Sequence, residues 1–121
     1  MDVIVYGIKN CDTVKKARKF LDEAGIAYSF HDYKKDGADA AVLEAFVKEF
    51  GWDTILNKRG TTWRKVPDEV KETIVDSASA MALMLEEPSM IKRPLVQAKN
   101  KRFVGFDANS WEMAMEMGEL V

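Results

Sequence analysis

One cysteine, Cys11, and one histidine, His31, stand in a chain of 121 residues. A single cysteine excludes an internal disulfide, so the fold depends on its core. At this length one domain buries about two thirds of the surface that its unfolded chain exposes. A single histidine supplies no metal cluster without carboxylates from elsewhere; at the end of a predicted strand, His31 reads as structural or surface, and no metal is expected. No apolar run approaches the ~20 residues needed to span a bilayer. The start, Met1-Asp2-Val3, has neither the basic residues nor the apolar stretch of a signal peptide. Eighteen Lys and Arg against 20 Asp and Glu leave a net charge of −2, which puts no global charge behind direct nucleic-acid binding. No repeat, low-complexity stretch or flexible linker interrupts the chain. The expectation is a single-domain cytoplasmic protein in a reducing compartment, without membrane or nucleic-acid partners.

What is present begins with a β-α-β pattern. Val3 to Tyr6 is β-rich, then Val14, Ala17, Leu21 and Ala24 recur at helical spacing until Gly25 stops the helix. Ile26, Tyr28 and Phe30 then alternate with Ala27, Ser29 and His31 as a half-buried strand. The crossover between the two strands is expected to be parallel and right-handed. The middle is helical. Asp39 is placed to cap a segment with Leu43, Phe46, Val47 and Phe50 on one face, ended by Gly51, and Asp53 to Leu56 adds a short turn.

Residues 57–65 form a polar loop, and Pro67 opens a helix carrying Val70, Ile74 and Val75. Ser77 or Ser79 caps a further helix that Pro88 terminates. Two strands, 94–98 and 102–106, flank the turn Lys99-Asn100-Lys101. Asn109 and Glu112 then stand at capping-box spacing before a last helix closed by Gly118. Met113, Met115 and Met117 on that helix read as core filling. The order is β-α-β, a helical insertion at about 38–88, then β-β-α: an α/β fold of thioredoxin-like order, with a mixed sheet of about four strands.

Cys11 carries the chemistry. It sits where the first strand gives way, through Gly7-Ile8-Lys9-Asn10, to a helix beginning near Thr13. There a thiol meets backbone N–H groups without intrahelical partners and the positive end of the helix dipole. Such a position favours the thiolate, and Lys9, Lys15 and Arg93 are the candidate cations. Against this stands the structural reading of a lone cysteine as a small buried hydrophobe. The position of a second thiol in a C-x-x-C motif is Val14. A mixed disulfide on Cys11 must therefore be cleared by an external thiol, such as glutathione or a glutaredoxin-like protein.

Two further segments are candidates. In Ile91-Lys92-Arg93-Pro94, a cis bond before Pro94 would fix the neighbouring backbone while Arg93 offers a planar fork to an anion. The residues alone favour the alternative, a surface arginine and a trans proline that starts a strand. The loop 57–65 gathers Lys58, Arg59, Arg64 and Lys65 with Thr61, Thr62 and Trp63, suited to an anionic and partly apolar ligand, or equally to a solvated basic loop.

Together the segments Val5 to Ala17, Leu56 to Lys65 and Ile91 to Val96 resemble the ArsC/Spx family of thioredoxin-like, arsenate reductase-like proteins, particularly its YffB-like branch, over nearly the whole chain. The resemblance implies that Cys11 is the nucleophile, that Arg93 approaches its sulfur and that Pro94 is a cis-proline. For glutaredoxin-coupled arsenate reductases it implies a histidine four residues before the cysteine, a serine three after it and three arginines. Here those positions hold Gly7 and Val14, the first arginine position is Asn57 with Arg59 two residues late, and the third falls near Gly105. Spx-like regulators, which bind RNA polymerase, often carry a two-cysteine switch that Val14 removes, while Arg59 falls close to one of their functional arginines.

The expected function is that of a thiol-disulfide oxidoreductase with Cys11 as its catalytic residue. Asn10, Thr13, Arg59, Thr62, Trp63, Arg93 and Pro94 would bind the substrate. No cofactor is expected to be tightly bound, and glutathione is the co-substrate. An arsenate reductase and a non-enzymatic regulator on RNA polymerase are the alternatives.

Overall fold

The computed structural model describes residues 3–120. In chain order the elements begin with β1 (Ile4–Gly7), α1 (Asp12–Glu23) and β2 (Ser29–Asp32). Next come α2 (Tyr33–Asp36), α3 (Ala40–Phe50), α4 (Trp52–Ile55), α5 (Thr61–Arg64), α6 (Asp68–Lys71) and α7 (Ser77–Glu86), followed by a 3-10 turn at Pro88–Met90. The chain closes with β3 (Leu95–Gln97), β4 (Arg102–Val104) and α8 (Ala108–Glu116). These elements form two compact units. One comprises the described residues up to Asp32 and from Arg93 onward; the other is Tyr33–Lys92.

The first unit holds a four-stranded sheet in the order β2-β1-β3-β4. β1 runs parallel to β2, with Val5 opposite Phe30, and antiparallel to β3, with Val5 opposite Val96. β3 and β4 form the expected hairpin, Val96 facing Phe103, and Ala98 donates to the Lys101 carbonyl across its turn. α1 is amphipathic for the reason its spacing suggested: Val14, Ala17 and Leu21 are all buried, while its lysines face water. Gly25, at φ 70°, lets the chain leave the helix in a conformation that side chains disfavour.

Val3, Val5, Ala17, Leu21, Val96, Ala98, Trp111 and Leu120 make one core cluster. Trp111 is its centre. Its ring meets Phe20 and Phe106 edge-on at 5.7 and 4.8 Å and Phe103 at 5.9 Å, in the tilted geometry that ring quadrupoles favour. In the second unit, Asp39 caps α3 by accepting from the amides of Ala41 and Val42. Leu43, Phe46 and Val47 are buried there, as are Ile55, Leu56, Ala80, Met84, Met90 and Ile91.

Several local expectations are corrected. The second strand begins at Ser29 rather than Ile26; Ile26 and Tyr28 pack against the core before the ladder starts. The loop 57–65 contains the helical turn α5, and the helix expected from Pro67 is the single turn α6, with Val70 and Val75 exposed. Asp76 caps α7, not Ser77 or Ser79, and Asp107 caps α8, not Asn109. In both cases a serine three residues on donates its hydroxyl and amide to the aspartate: Ser79 to Asp76 and Ser110 to Asp107. These bonds hold each aspartate carboxyl below its ordinary pKa. Met113, Met115 and Met117 are 61%, 40% and 69% exposed and fill no core. Trp111 and Ala114 take the inward positions of α8, and residues two apart along a helix do not share a face.

One close approach ties α1 to the sheet. A Cβ built on Gly7 at the end of β1 would lie 2.7 Å from Cγ2 of Val14. Val14 is fully buried and β-branched, so it has little freedom to give way. Gly7→Ala is expected to cost about 1–3 kcal/mol by overpacking, and measurably less in a Val14→Ala background. Urea unfolding of the four chains of that cycle checks it, and additive costs would contradict the contact. Trp111→Ala should cost about 3–5 kcal/mol in the same assay.

Candidate active site

The strand-to-helix junction is a short polar turn. The Cys11 amide donates to the Ile8 carbonyl at 3.2 Å, and the Cys11 carbonyl accepts from Lys15 at 3.0 Å as the first intrahelical bond. Cys11 is thereby the N-cap of α1, extended at φ −94° and ψ 126°, one residue earlier in the helix frame than expected. Asp12, Thr13 and Val14 follow as the first turn, whose amides have no intrahelical acceptors. Cys11 is a free, half-buried thiol, which answers the structural reading of it as a core hydrophobe.

Burial is the strongest single influence on this thiol, and it opposes ionisation. The donors around the sulfur together outweigh it: the Val14 amide, then the Arg93 side chain, then the Thr13 amide, with the charge of Arg93 adding to them. The net result is a thiol pKa below that of an ordinary cysteine. The Cys11 side chain forms no cap hydrogen bond. The amides act on the charged form, which is the better acceptor. Of the candidate cations, Arg93 is the one that acts on the sulfur; Lys9 and Lys15 are exposed side chains.

Arg93 precedes Pro94 through a cis peptide bond, and Pro94 is buried at the start of the β3 segment. The Pro94 carbonyl accepts from the Gly105 amide at 2.8 Å, anchoring this segment to the hairpin. The first unit therefore brings together Cys11, Thr13, Arg93 and Pro94 among the expected site residues. Asn10, also expected, is exposed in the turn that leads to Cys11.

Arg59, Thr62 and Trp63 belong to the second unit. There the Asn57 side chain accepts from the Arg59 amide at 3.2 Å, and the Arg64 guanidinium donates to the Arg59 carbonyl at 3.2 Å. Ser89 donates to the Thr62 hydroxyl at 3.3 Å, and Lys71 stands 5.3 Å over the Trp63 ring. These contacts order the segment locally, while Lys58, Arg59, Arg64 and Lys65 are all exposed, as the reading of a solvated basic loop has them. His31 is half-buried with its ring 5.3 Å from that of Tyr6. Among the described residues no group of three His, Cys, Asp or Glu could hold a metal.

Sequence reasoning missed two contributors. The main chain of Val14 is the foremost stabiliser of the thiolate, whereas the sequence marks the residue for its place on the apolar face of the helix and for the thiol or serine it lacks. Gly7 is what allows Val14 to sit there. A glycine ending a β-rich run four residues before the cysteine was the available signal, since a strand glycine often marks a close approach.

Known proteins are similar to this chain over most of its length. A solved structure titled YffB protein is 47% identical, superposes with a TM-score of 0.87 and covers 93% of this chain and 97% of its own. An uncharacterized protein of Haemophilus influenzae is 43% identical over 93% of this chain and 97% of its own length. A global transcriptional regulator Spx of Streptococcus agalactiae is 26% identical over 81% of this chain and 72% of its length. No helix among the described residues is long and apolar enough to cross a membrane. The model of the ArsC family matches residues 6–114, from the strand before Cys11 to the last helix, and the chain belongs to that family.

Proposed function

We propose that this chain is a thiol-dependent reductase in which Cys11 is the only protein thiol that turns over. The observation that carries this reading is the N-cap thiol of α1, held below its ordinary pKa by the Val14 and Thr13 amides and by Arg93, with no second cysteine in the chain. The Cys11 thiolate attacks the glutathione sulfur of a glutathionylated thiol, forms the Cys11–glutathione disulfide and releases the substrate as a thiolate that takes a proton. A second glutathione thiolate then attacks that disulfide, frees Cys11 and leaves as oxidised glutathione. In all, one incoming glutathione thiol is oxidised to the disulfide level and the substrate sulfur is reduced to a thiol, while the glutathione sulfur already in disulfide passes from the substrate, through Cys11, to oxidised glutathione.

In this reading Arg93 stabilises Cys11 both as attacking and as leaving thiolate, and Asn10, Thr13 and Pro94 shape the approach. Arg59, Thr62 and Trp63 contribute to substrate binding, and the protein works in a reducing cytoplasm. Arsenate suits the site less well. The positions of the supporting histidine and serine are Gly7 and Val14, and a side chain on residue 7 meets the Val14 methyl at once. An oxyanion of several charges needs several fixed donors. The similarity to Spx regulators supports a second reading, a non-catalytic adaptor on RNA polymerase. Retention of polymerase subunits from extract by the Cys11→Ser chain, as well as by the parent, would favour it.

Two measurements test the leading reading. Since the pKa is lowered, the thiolate fraction at neutral pH is raised, so iodoacetamide alkylation of Cys11 should reach half its maximal rate at a lower pH than a free peptide thiol does. Arg93→Gln should move that midpoint upward by removing one of the donors. A midpoint at or above that of the peptide would refute the activated thiolate. In the second, reduction of a glutathionylated peptide by glutathione, coupled to NADPH oxidation through glutathione reductase, should fall to background in Cys11→Ser. Arg93→Gln should lose about tenfold, the equivalent of one charged hydrogen bond.

A further inference from the structure

A second place in the first unit is built for recognition. β2 is an outer strand of the sheet. Ser29 donates its amide to the Val3 carbonyl at 3.0 Å. Backbone polar groups alternate in direction along a strand, so Ser29 and His31 turn toward β1 while Phe30 presents its N–H and C=O groups to the outer edge. Beside that edge lies a groove of about 370 Å³ lined by Arg18, Asp22, Ile26, Ala27, Tyr28 and Phe30.

Arg18 is fixed within it. Its Nε donates to the Tyr28 hydroxyl at 3.1 Å, and its guanidinium carbon stands 4.2 Å over the Phe30 ring and 5.9 Å from that of Tyr28. A stacked, tethered guanidinium has already lost the side-chain entropy that binding would otherwise cost, and its two outer nitrogens remain as a fork for a carboxylate. Among the described residues no carboxylate forms an ion pair with Arg18, although Asp22 lines the same groove.

We propose that the open edge of β2, with Arg18 fixed beside it, takes up an extended acidic segment of a partner protein as an additional strand. Three features converge on that ligand. The outward main-chain groups of Phe30 pair with any extended backbone, which gives affinity without sequence. A residue directly across from Phe30 has its Cβ about 4.5–5.5 Å away on the same face, where a glutamate side chain reaches the guanidinium stacked on the Phe30 ring. Asp22 repels additional negative charge, so one carboxylate in register is preferred over a polyanion.

The test is an NMR titration of the full chain with a blocked seven-residue peptide of alternating valine and threonine around a central glutamate, and with the same peptide carrying glutamine. The glutamate peptide should shift the Tyr28 and Phe30 amides and the Arg18 Nε–H, and bind at least tenfold more tightly than the glutamine peptide. Arg18→Gln should abolish that preference, and Tyr28→Phe, which frees the guanidinium from its tether, should weaken it severalfold. Equal binding of the two peptides, shifts confined to other surfaces, or an unchanged preference in Arg18→Gln would overturn the proposal. Should Arg18→Gln fail to fold, the peptide comparison in Tyr28→Phe decides alone. Sedimentation of the free chain as a dimer with slowed exchange at the Phe30 amide would assign the edge to a second copy and equally reject an acidic partner.

Discussion

The packing of Val14 against Gly7 is the contact on which the site depends. A helix of this amphipathic type could dock on its sheet at many heights, but a β-branched side chain lodged where a Cβ would be allows very little slack. Because the first turn of α1 is held against the end of β1, the amides of Thr13 and Val14 are fixed in direction, and the Cys11 sulfur lies where they point. The donors are main-chain groups. They cannot swing away as side chains do, and their cost is met once, in folding, rather than at each encounter with substrate.

That contact also decides what the site does without. A tightly filled space between residues 7 and 14 leaves no place for an imidazole on residue 7, and the Val14 side chain offers the sulfur no hydroxyl or thiol. What remains at the cysteine is one guanidinium and two amides set against partial burial. These donors favour a single negative charge on the Cys11 sulfur, the charge that the proposed exchange would place there both on attack and on leaving. Leaving-group ability and nucleophilicity both follow thiol pKa, in opposite senses. In the proposed exchange cycle, a thiolate favoured by its donors while burial resists them would serve as attacking group and as leaving group.

Much of this architecture was legible in the residues because its signals are local. The spacing of Val14, Ala17 and Leu21, the Asp39 cap, the alternation around the Lys99-Asn100-Lys101 turn and the position of Cys11 each report on a few neighbours. The readings that failed depended on competition or on distance. Serine and aspartate both suit an N-cap; in α7 and α8 the aspartate wins because the serine fits the third helical position and bonds back. The methionines of α8 were read by composition, when the angular positions of Trp111 and Ala114 had already claimed the inward face. Arg93 was among the cations named for Cys11, and the family resemblance set it at the sulfur, where the structure has it acting; more than eighty positions separate the two, and the pairing of β3 with β1 brings them together.

The same sheet order explains why recognition and chemistry can occupy different parts of the first unit. β1 and β3 are the inner strands, satisfied on both sides, and the segments at their ends carry Cys11 and Arg93. Rigidity is needed there, because a sulfur displaced by a fraction of an ångström loses its donors. β2 is an outer strand, and an outer edge must be blunted or used. Proline is absent from β2, and the strand carries one carboxylate, Asp32, at its end. The positive charge beside it is instead stacked on the strand's Phe30 ring and lines the groove. An arginine that served only to deter pairing would gain nothing from being immobilised. Tethering to Tyr28 and stacking on Phe30 are what a fork needs to read one carboxylate at one register, which places the edge of β2 among the surfaces that select a partner.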